Sequence, residues 1–145
     1  MALKIGEQLP SLDGAAGWLG CAPTDLRDRP ALVHFWSVSC PVCKANLPTL
    51  RQWRTAYPKV QFVAIHMPRF ETELDIAAIT QTAAELGLDE PCAIDNHHTL
   101  GNRFQTNGTW PYYFLFDADG RLMRRAFGLN GIQFLRGSLE RLFQG

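Results

Sequence analysis

Two thiols stand one helical turn apart in Cys40-Pro41-Val42-Cys43. A pair so spaced can close a small disulfide ring and open it again, which is chemistry for carrying electrons. The pair follows directly on the apolar run Ala31-Leu32-Val33-His34-Phe35-Trp36 and opens a stretch with helical spacing. At a strand-to-helix junction the first thiol meets unpaired backbone N–H groups, which favour the thiolate and lower its pKa from about 8.5 towards about 7. The second thiol lies a turn further in, shielded, within reach of any mixed disulfide formed by the first. Cys40 therefore reads as the attacking thiolate, reachable from solvent, and Cys43 as the resolving thiol. Half of a zinc site and an inert pair are the competing readings of a lone Cys-x-x-Cys. Zinc needs two further ligands, and Cys21, Cys92 and the histidines do not stand at ligand spacing.

The elements that must position this pair follow from apolar periodicity. Residues 31–36 form a short, nearly continuous apolar run bounded by Asp28-Arg29-Pro30, the pattern of a strand covered on both faces. Val42, Leu47, Leu50, Trp53 and Tyr57 recur at helical spacing over 41–57, with Pro48 expected to kink that helix. A second strand is predicted over 60–65, an alanine-rich helix over 74–86 stopped by Gly87, and a short strand over 91–94. Asp95-Asn96 offers a cap for a helix over 99–105. Strands over 112–116 and 122–127 flank Asp117-Ala118-Asp119-Gly120, a hairpin signal. A last helix over 132–143 turns Phe134 or Leu135, Leu139, Leu142 and Phe143 inward. Residues 1–30 are the least readable: Gly14, Gly17 and Gly20 break periodicity, and Trp18-Leu19 suits a small edge strand. Crossovers followed by a hairpin imply an α/β fold, one mixed sheet with helices on both faces.

The 145 residues suit a single domain. Fourteen Lys and Arg balance fourteen Asp and Glu, so neither a basic field for nucleic acid nor an acidic tract is present. No apolar segment approaches the roughly 20 residues needed to span a bilayer, and residues 1–10 hold one lysine and no apolar core of a signal peptide. The chain as it stands reads as cytoplasmic without membrane contact, or as extracytoplasmic or periplasmic if a leader or anchor belongs to a longer form. Cys21 and Cys92 read as small buried hydrophobes, with a mutual bridge or a regulatory thiol as the alternatives.

Several signatures together resemble the thioredoxin superfamily, and within it the TlpA/ResA-like thiol-disulfide oxidoreductases, over nearly the whole chain. They are Phe35-Trp36 before the motif, Cys40-Pro41-Val42-Cys43-Lys44, Pro48 in the following helix, Trp110-Pro111 before a strand, and Asp117-Ala118-Asp119-Gly120-Arg121 followed by Gly128. The family's added central helix and short strand correspond to residues 67–95, followed by the family-like Asp95-Asn96-His97-His98-Thr99-Leu100. The resemblance implies a single thioredoxin-like domain over 1–145, a protein disulfide as substrate, an upstream dithiol as electron donor, no cofactor, and a monomer. It also implies that Pro111 is a cis-proline facing the disulfide and helping to hold an extended client peptide; its sequence position says only that it starts a strand.

Three departures qualify the resemblance. Ser39 precedes Cys40 where the family usually has tryptophan, which leaves Trp110 as a candidate aromatic platform for a partner or as ordinary packing. Asn46 stands where ResA-like proteins have a glutamate, and an amide cannot exchange a proton at physiological pH. His34 occupies the strand position of thioredoxin's buried aspartate; it reads as a proton relay for Cys43 or as a plain buried histidine. Lys44 reads as a solvated first-turn lysine or, if it points back, as a cation favouring nearby thiolate charge; His66 reads as approaching the same sheet edge, and His97 and His98 as loop or capping residues. Pro41 removes an N–H near the sulfur, which points to a weaker thiolate and a reducing protein. The rival functions are a thiol peroxidase, disfavoured because Val38-Ser39 replace the threonine and proline of those sites, and a binding module with an idle dithiol.

Overall fold

The computed structural model describes residues 3–23, 26 and 28–143, with the backbone alone for 142 and 143. In chain order the elements are β1 (Gly17–Leu19), β2 (Ala31–Trp36), α1 (Pro41–Ala56), β3 (Gln61–His66), a 3-10 turn (Glu71–Glu73), α2 (Ile76–Glu85), β4 (Cys92–Ile94), α3 (Thr99–Phe104), β5 (Tyr112–Phe116), β6 (Leu122–Phe127) and α4 (Gly131–Phe143). The strands form one sheet in the order β1-β4-β3-β2-β5-β6. β2 runs parallel to β3, and β3 to β4; β1, β5 and β6 are antiparallel to their neighbours. This is a thioredoxin-like fold, with α2 inserted between β3 and β4.

Alternation along β2 explains the layers. Val33 and Phe35 face the side closed by Leu100 and Phe104 of α3, where Tyr112, Phe114 and Phe116 of β5 add an aromatic stack. Leu32 faces the other side, against Leu47, Leu50 and Trp53 of α1 and Leu135 and Leu139 of α4. Trp36 continues that face to the dithiol, with Ala64, Ile79, Cys92 and Ile94 around it. Both faces being covered, β2 and β5 are continuous apolar runs, as a buried strand requires.

Boundaries differ from the predicted ones for local reasons. The second strand starts at Gln61 because the Val60 N–H closes the turn after α1 on the Tyr57 carbonyl. α2 starts two residues later than predicted, because Asp75 is its N-cap and accepts the Ala77 N–H at 3.0 Å. α3 stops at Phe104 because Gln105 turns left-handed at φ 60°. Asp95 caps α3 as expected, its carboxylate accepting the Leu100 and Gly101 N–H groups, both at 2.8 Å. Gly101 permits a close approach: a Cβ there would lie 2.2 Å from the Met67 sulfur. Of the two alternatives in α4, Leu135 is buried and Phe134 exposed, while the expected inward side chains of Leu142 and Phe143 lie outside the described residues. Trp18-Leu19 is the expected edge strand, paired with β4. Residues 6–9 lie along the β5–β6 hairpin through Gly6 N–H to Leu122 O, Leu9 N–H to Gly120 O, and a bridge from Gln8 to Arg121.

Candidate active site around Cys40 and Cys43

β2 carries the chain to the carboxyl end of the sheet, and residues 37–40 turn it into α1, the Cys40 N–H donating to the Ser37 carbonyl at 3.2 Å. Cys40 is the N-cap of α1, with extended backbone at φ −93° and ψ 106°, and its Sγ accepts the Cys43 N–H at 3.2 Å. An N-cap atom reaches the N–H of the second or third helical residue, and Cys43 is the third. Pro41 occupies the first position, where the capping sulfur does not reach. Contrary to expectation, Pro41 takes no capping bond from the thiolate: the N–H that the proline lacks is not the one the sulfur uses.

Cys40 and Cys43 are joined as a disulfide with Cα atoms 5.3 Å apart. Cys43 is 2 % exposed, and Cys40 is also covered, at 4 %. This corrects the reading of Cys40 as open to solvent. In the disulfide state both cysteines belong to a buried cluster with Trp36, against which Val38, Val42 and Trp110 are among the side chains that pack. Lys44 is exposed, as expected of a solvated residue.

Trp110-Pro111 is a cis peptide. Pro111 is buried and its carbonyl accepts the Gly128 N–H at 3.0 Å. Trp110 is half-buried; its indole N–H donates to the Met67 carbonyl at 2.7 Å, and its ring meets His98 edge-on at 6.1 Å. His98 in turn donates from Nε2 to the Pro68 carbonyl at 2.7 Å, and His97 is exposed.

Polar side chains join β2, α1 and the segment before β4. His34, 1 % exposed, donates from Nε2 to Glu90 Oε2 at 2.8 Å. Glu90 Oε1 accepts from Arg54 Nη1 at 2.6 Å, and Arg54 Nη2 reaches Asp89 at 3.2 Å. Burial alone would raise the Glu90 carboxyl, but the His34 hydrogen bond and charge, a backbone N–H and Arg54 overcome it and hold the group at about 2. Asn46 donates to the Tyr113 hydroxyl at 2.9 Å, so the amide that replaces an acid in α1 serves the β5 tyrosine. Burial pushes the Tyr113 hydroxyl up to about 12 against the Asn46 bond.

His66 ends β3 fully buried, packs edge-on against Trp36 at 5.0 Å, and accepts the Val38 N–H on Nε2 at 3.2 Å. Burial lowers its pKa to about 4, opposed by the Glu73 charge and a backbone hydrogen bond. The two remaining cysteines do not bridge: Cys92 is buried, its thiol pushed up to about 12 by burial, while Cys21 is exposed, contrary to the reading of both as core residues. Among the described residues no group of three or more His, Cys, Asp or Glu side chains is placed to hold a metal ion, and no helix is long and apolar enough to cross a membrane.

Sequence reasoning missed Glu90, Arg54, Glu73 and Arg69. Arg54 occupies a helix position where a solvated cation is ordinary, and Glu90 precedes Pro91 in what reads as a loop. Only the parallel pairing of β3 with β4 brings Glu90 to His34.

The model of the AhpC/TSA family matches residues 5–125. The thiol-disulfide oxidoreductase YkuV of Bacillus subtilis (strain 168) is 35 % identical over 144 residues, 97 % of each chain. The soluble secreted antigen MPT53 of Mycobacterium tuberculosis (strain ATCC 25618 / H37Rv) is 32 % identical over 113 residues, 75 % of this chain and 61 % of that protein. Among solved structures, that of a thioredoxin-like protein in the oxidised form is similar with a TM-score of 0.87 and 34 % identity, covering 97 % of both chains. The capped, buried Cys40–Cys43 pair is a redox-active centre, and the chain belongs to the AhpC/TSA family as a TlpA/ResA-like thiol-disulfide oxidoreductase of thioredoxin fold.

Proposed function

We propose that the protein reduces disulfides of client proteins, with Cys40 as the attacking sulfur and Cys43 as the resolving one. The observation that carries this reading is the Cys43 N–H held on Cys40 Sγ at 3.2 Å, which favours the thiolate on Cys40 and leaves Cys43 behind it. The Cys40 thiolate attacks one client sulfur and expels the other as a thiolate. Cys43, its proton lost, then attacks Cys40 Sγ, expels the second client sulfur and closes the Cys40–Cys43 bond. Two electrons from an upstream dithiol donor reopen it. The direction of net electron flow is set by the potential of the Cys40–Cys43 couple relative to those of donor and client.

His34 lies on the α1-facing side of β2 and is hydrogen-bonded to an ionised Glu90, which makes it the acid-base support for proton loss by Cys43. Trp110 and the backbone beside Pro111 form the surface for an extended client chain, with Trp36 and Val42 packed in the cluster of the disulfide and Pro41 opening α1 between the two cysteines. The protein acts as one domain and as a monomer, and the likeness to MPT53, named a secreted antigen, supports an extracytoplasmic place of action.

The test is equilibration in a glutathione redox series, followed by alkylation and mass measurement. A Cys40–Cys43 disulfide forming reversibly at a defined potential, with Cys40 the faster-alkylated thiol once reduced, is the expected result. A dithiol that never closes overturns it. Cys40→Ser should bring reduction of a model protein disulfide to background, at least about 1000-fold down, and Cys43→Ser should trap clients as mixed disulfides. His34→Gln should change the pH profile of mixed-disulfide resolution. Rapid peroxide consumption with a sulfenate on Cys40 would instead assign a peroxidase.

A further inference from the structure

We propose that His66 and Arg69 are positioning residues that clamp the turn carrying Cys40 and so set the balance between the Cys40–Cys43 disulfide and the dithiol. The inference rests on the exchange reading above and names what tunes that site.

The turn of residues 37–40 is closed internally by the Cys40 N–H on the Ser37 carbonyl at 3.2 Å. Two of its other backbone groups are held from outside, both by the end of β3 and the segment that follows. The Val38 N–H donates to His66 Nε2 at 3.2 Å, and the Ser39 carbonyl accepts from Arg69 Nη1 at 2.8 Å. The anchors are themselves held. His66 is wholly buried against Trp36, and the Arg69 N–H donates to Glu73 Oε1 at 2.9 Å, Glu73 being 5 % exposed. Two separate anchors, His66 at the end of β3 and Arg69 with Glu73 in the segment that follows, thus hold the residues immediately before Cys40.

The chemistry of the imidazole singles out this role. An N–H can only donate, so His66 Nε2 is unprotonated and its ring proton resides on Nδ1. Burying an imidazole carries a desolvation cost, the cause of its lowered pKa. A histidine serving only to fill space beside Trp36 would be replaced without that cost by an apolar ring. What His66 adds is an acceptor for Val38, and Glu73 supplies both the Arg69 anchor and a negative charge near His66.

Fixing residues 38 and 39 fixes Cys40, and a fixed Cys40 presents its sulfur to Cys43 at a high effective concentration. Release of the clamp loosens the turn and weakens the disulfide relative to the dithiol. The readout is the equilibrium in which the oxidised protein and two glutathiones give the dithiol and glutathione disulfide.

His66→Phe should shift that equilibrium about tenfold towards the dithiol, or about 30 mV for a two-electron couple. Arg69→Met, at an exposed position, should shift it about threefold the same way. His66→Gln, whose Oε1 can reach the place of Nε2, should stay within about twofold of the unaltered protein. Hydrogen exchange at the Val38 amide should quicken in the Phe variant and not in the Gln variant, a signature that loss of packing alone would not give. If His66→Phe fails to fold, Arg69→Met carries the test. Equilibrium constants within twofold of the unaltered protein in His66→Phe and Arg69→Met overturn the clamp, and so does a Gln variant as shifted as the Phe variant. Failure of the unaltered protein to form its disulfide reversibly overturns the exchange reading instead.

Discussion

His34 and His66 lie on adjacent parallel strands and on the same face of the sheet, His34 opposite Ala64 and Trp36 opposite His66. Both are buried to 1 % exposure or less, yet they do opposite things with a ring nitrogen. His34 donates to a carboxylate backed by a guanidinium, and that carboxylate stays ionised. His66 accepts from a backbone N–H, and burial keeps it neutral. The difference is made by what lies beyond each ring: Glu90 arrives from the loop before β4 at His34, whereas the Ser37–Cys40 turn arrives at His66. A buried imidazole is thus either one member of a charged network or a neutral acceptor, and the fold around the dithiol uses one of each.

The comparison breaks most visibly at Glu90. Glu90→Ala removes the partner of a buried donor and should cost about 3–5 kcal/mol, read from urea denaturation at pH 7. Replacing both members, with His34→Leu and Glu90→Leu, should cost clearly less than the single change, because no buried donor is then stranded and the half-exposed Arg54 can turn to Asp89. A cost below about 1 kcal/mol for Glu90→Ala would show that His34 does not depend on a charged partner.

Acid separates the two histidine environments by pH window. His66 has a folded pKa of about 4 against 6.5, so the unfolded chain takes up the proton first. Its contribution is complete above pH 6.5 and is lost as pH falls to about 4, of the order of 3 kcal/mol in all. Glu90 is held at about 2 against 4.5, so its contribution is complete above pH 4.5 and is lost as pH falls towards 2, to a similar extent. Stability measured against pH should therefore fall in two stages. His66→Gln should flatten the upper stage and Glu90→Gln the lower. A single stage unaffected by His66→Gln would place that imidazole's proton uptake elsewhere.

What could be read in the sequence and what could not divide along a physical line. The strands at 31–36 and 112–116, the Asp95 cap, the Asp117–Gly120 hairpin and the placement of Cys40 at a helix start are local patterns, written in apolar runs and in side chains that bond within a few residues. The companions of the two histidines are not local. Glu90 lies 56 positions from His34 and reaches it only once β4 has paired with β3. Arg69 and Glu73 act on the dithiol turn only because the chain after β3 folds back over residues 37–39. The burial of Cys40 was hidden for the same reason, since the cluster it belongs to is assembled from β2, β3, α2 and β4 and packed by Trp110 far along the chain. The N-terminal segment was obscure because its pairing is with the β5–β6 hairpin, more than 100 positions away.

The smallest effect sharpens the account of the His34 network by isolating burial from charge. Arg54 bonds two acids with one guanidinium: Asp89, whose side chain is 69 % exposed, and Glu90, at 4 %. The distances, 3.2 Å and 2.6 Å, both qualify as ion pairs, so a count of salt bridges would treat them as equals. Water screens the first, and holding it costs side-chain freedom, so Asp89→Asn should change stability by no more than about 0.5 kcal/mol, and what effect it has should shrink further as salt is raised. Arg54→Met should cost more, about 1–3 kcal/mol, because it strips a charged hydrogen bond from a carboxylate that cannot turn to water. An Asp89→Asn variant as damaging as Arg54→Met would mean that the guanidinium serves the surface acid, and that His34 alone keeps Glu90 ionised.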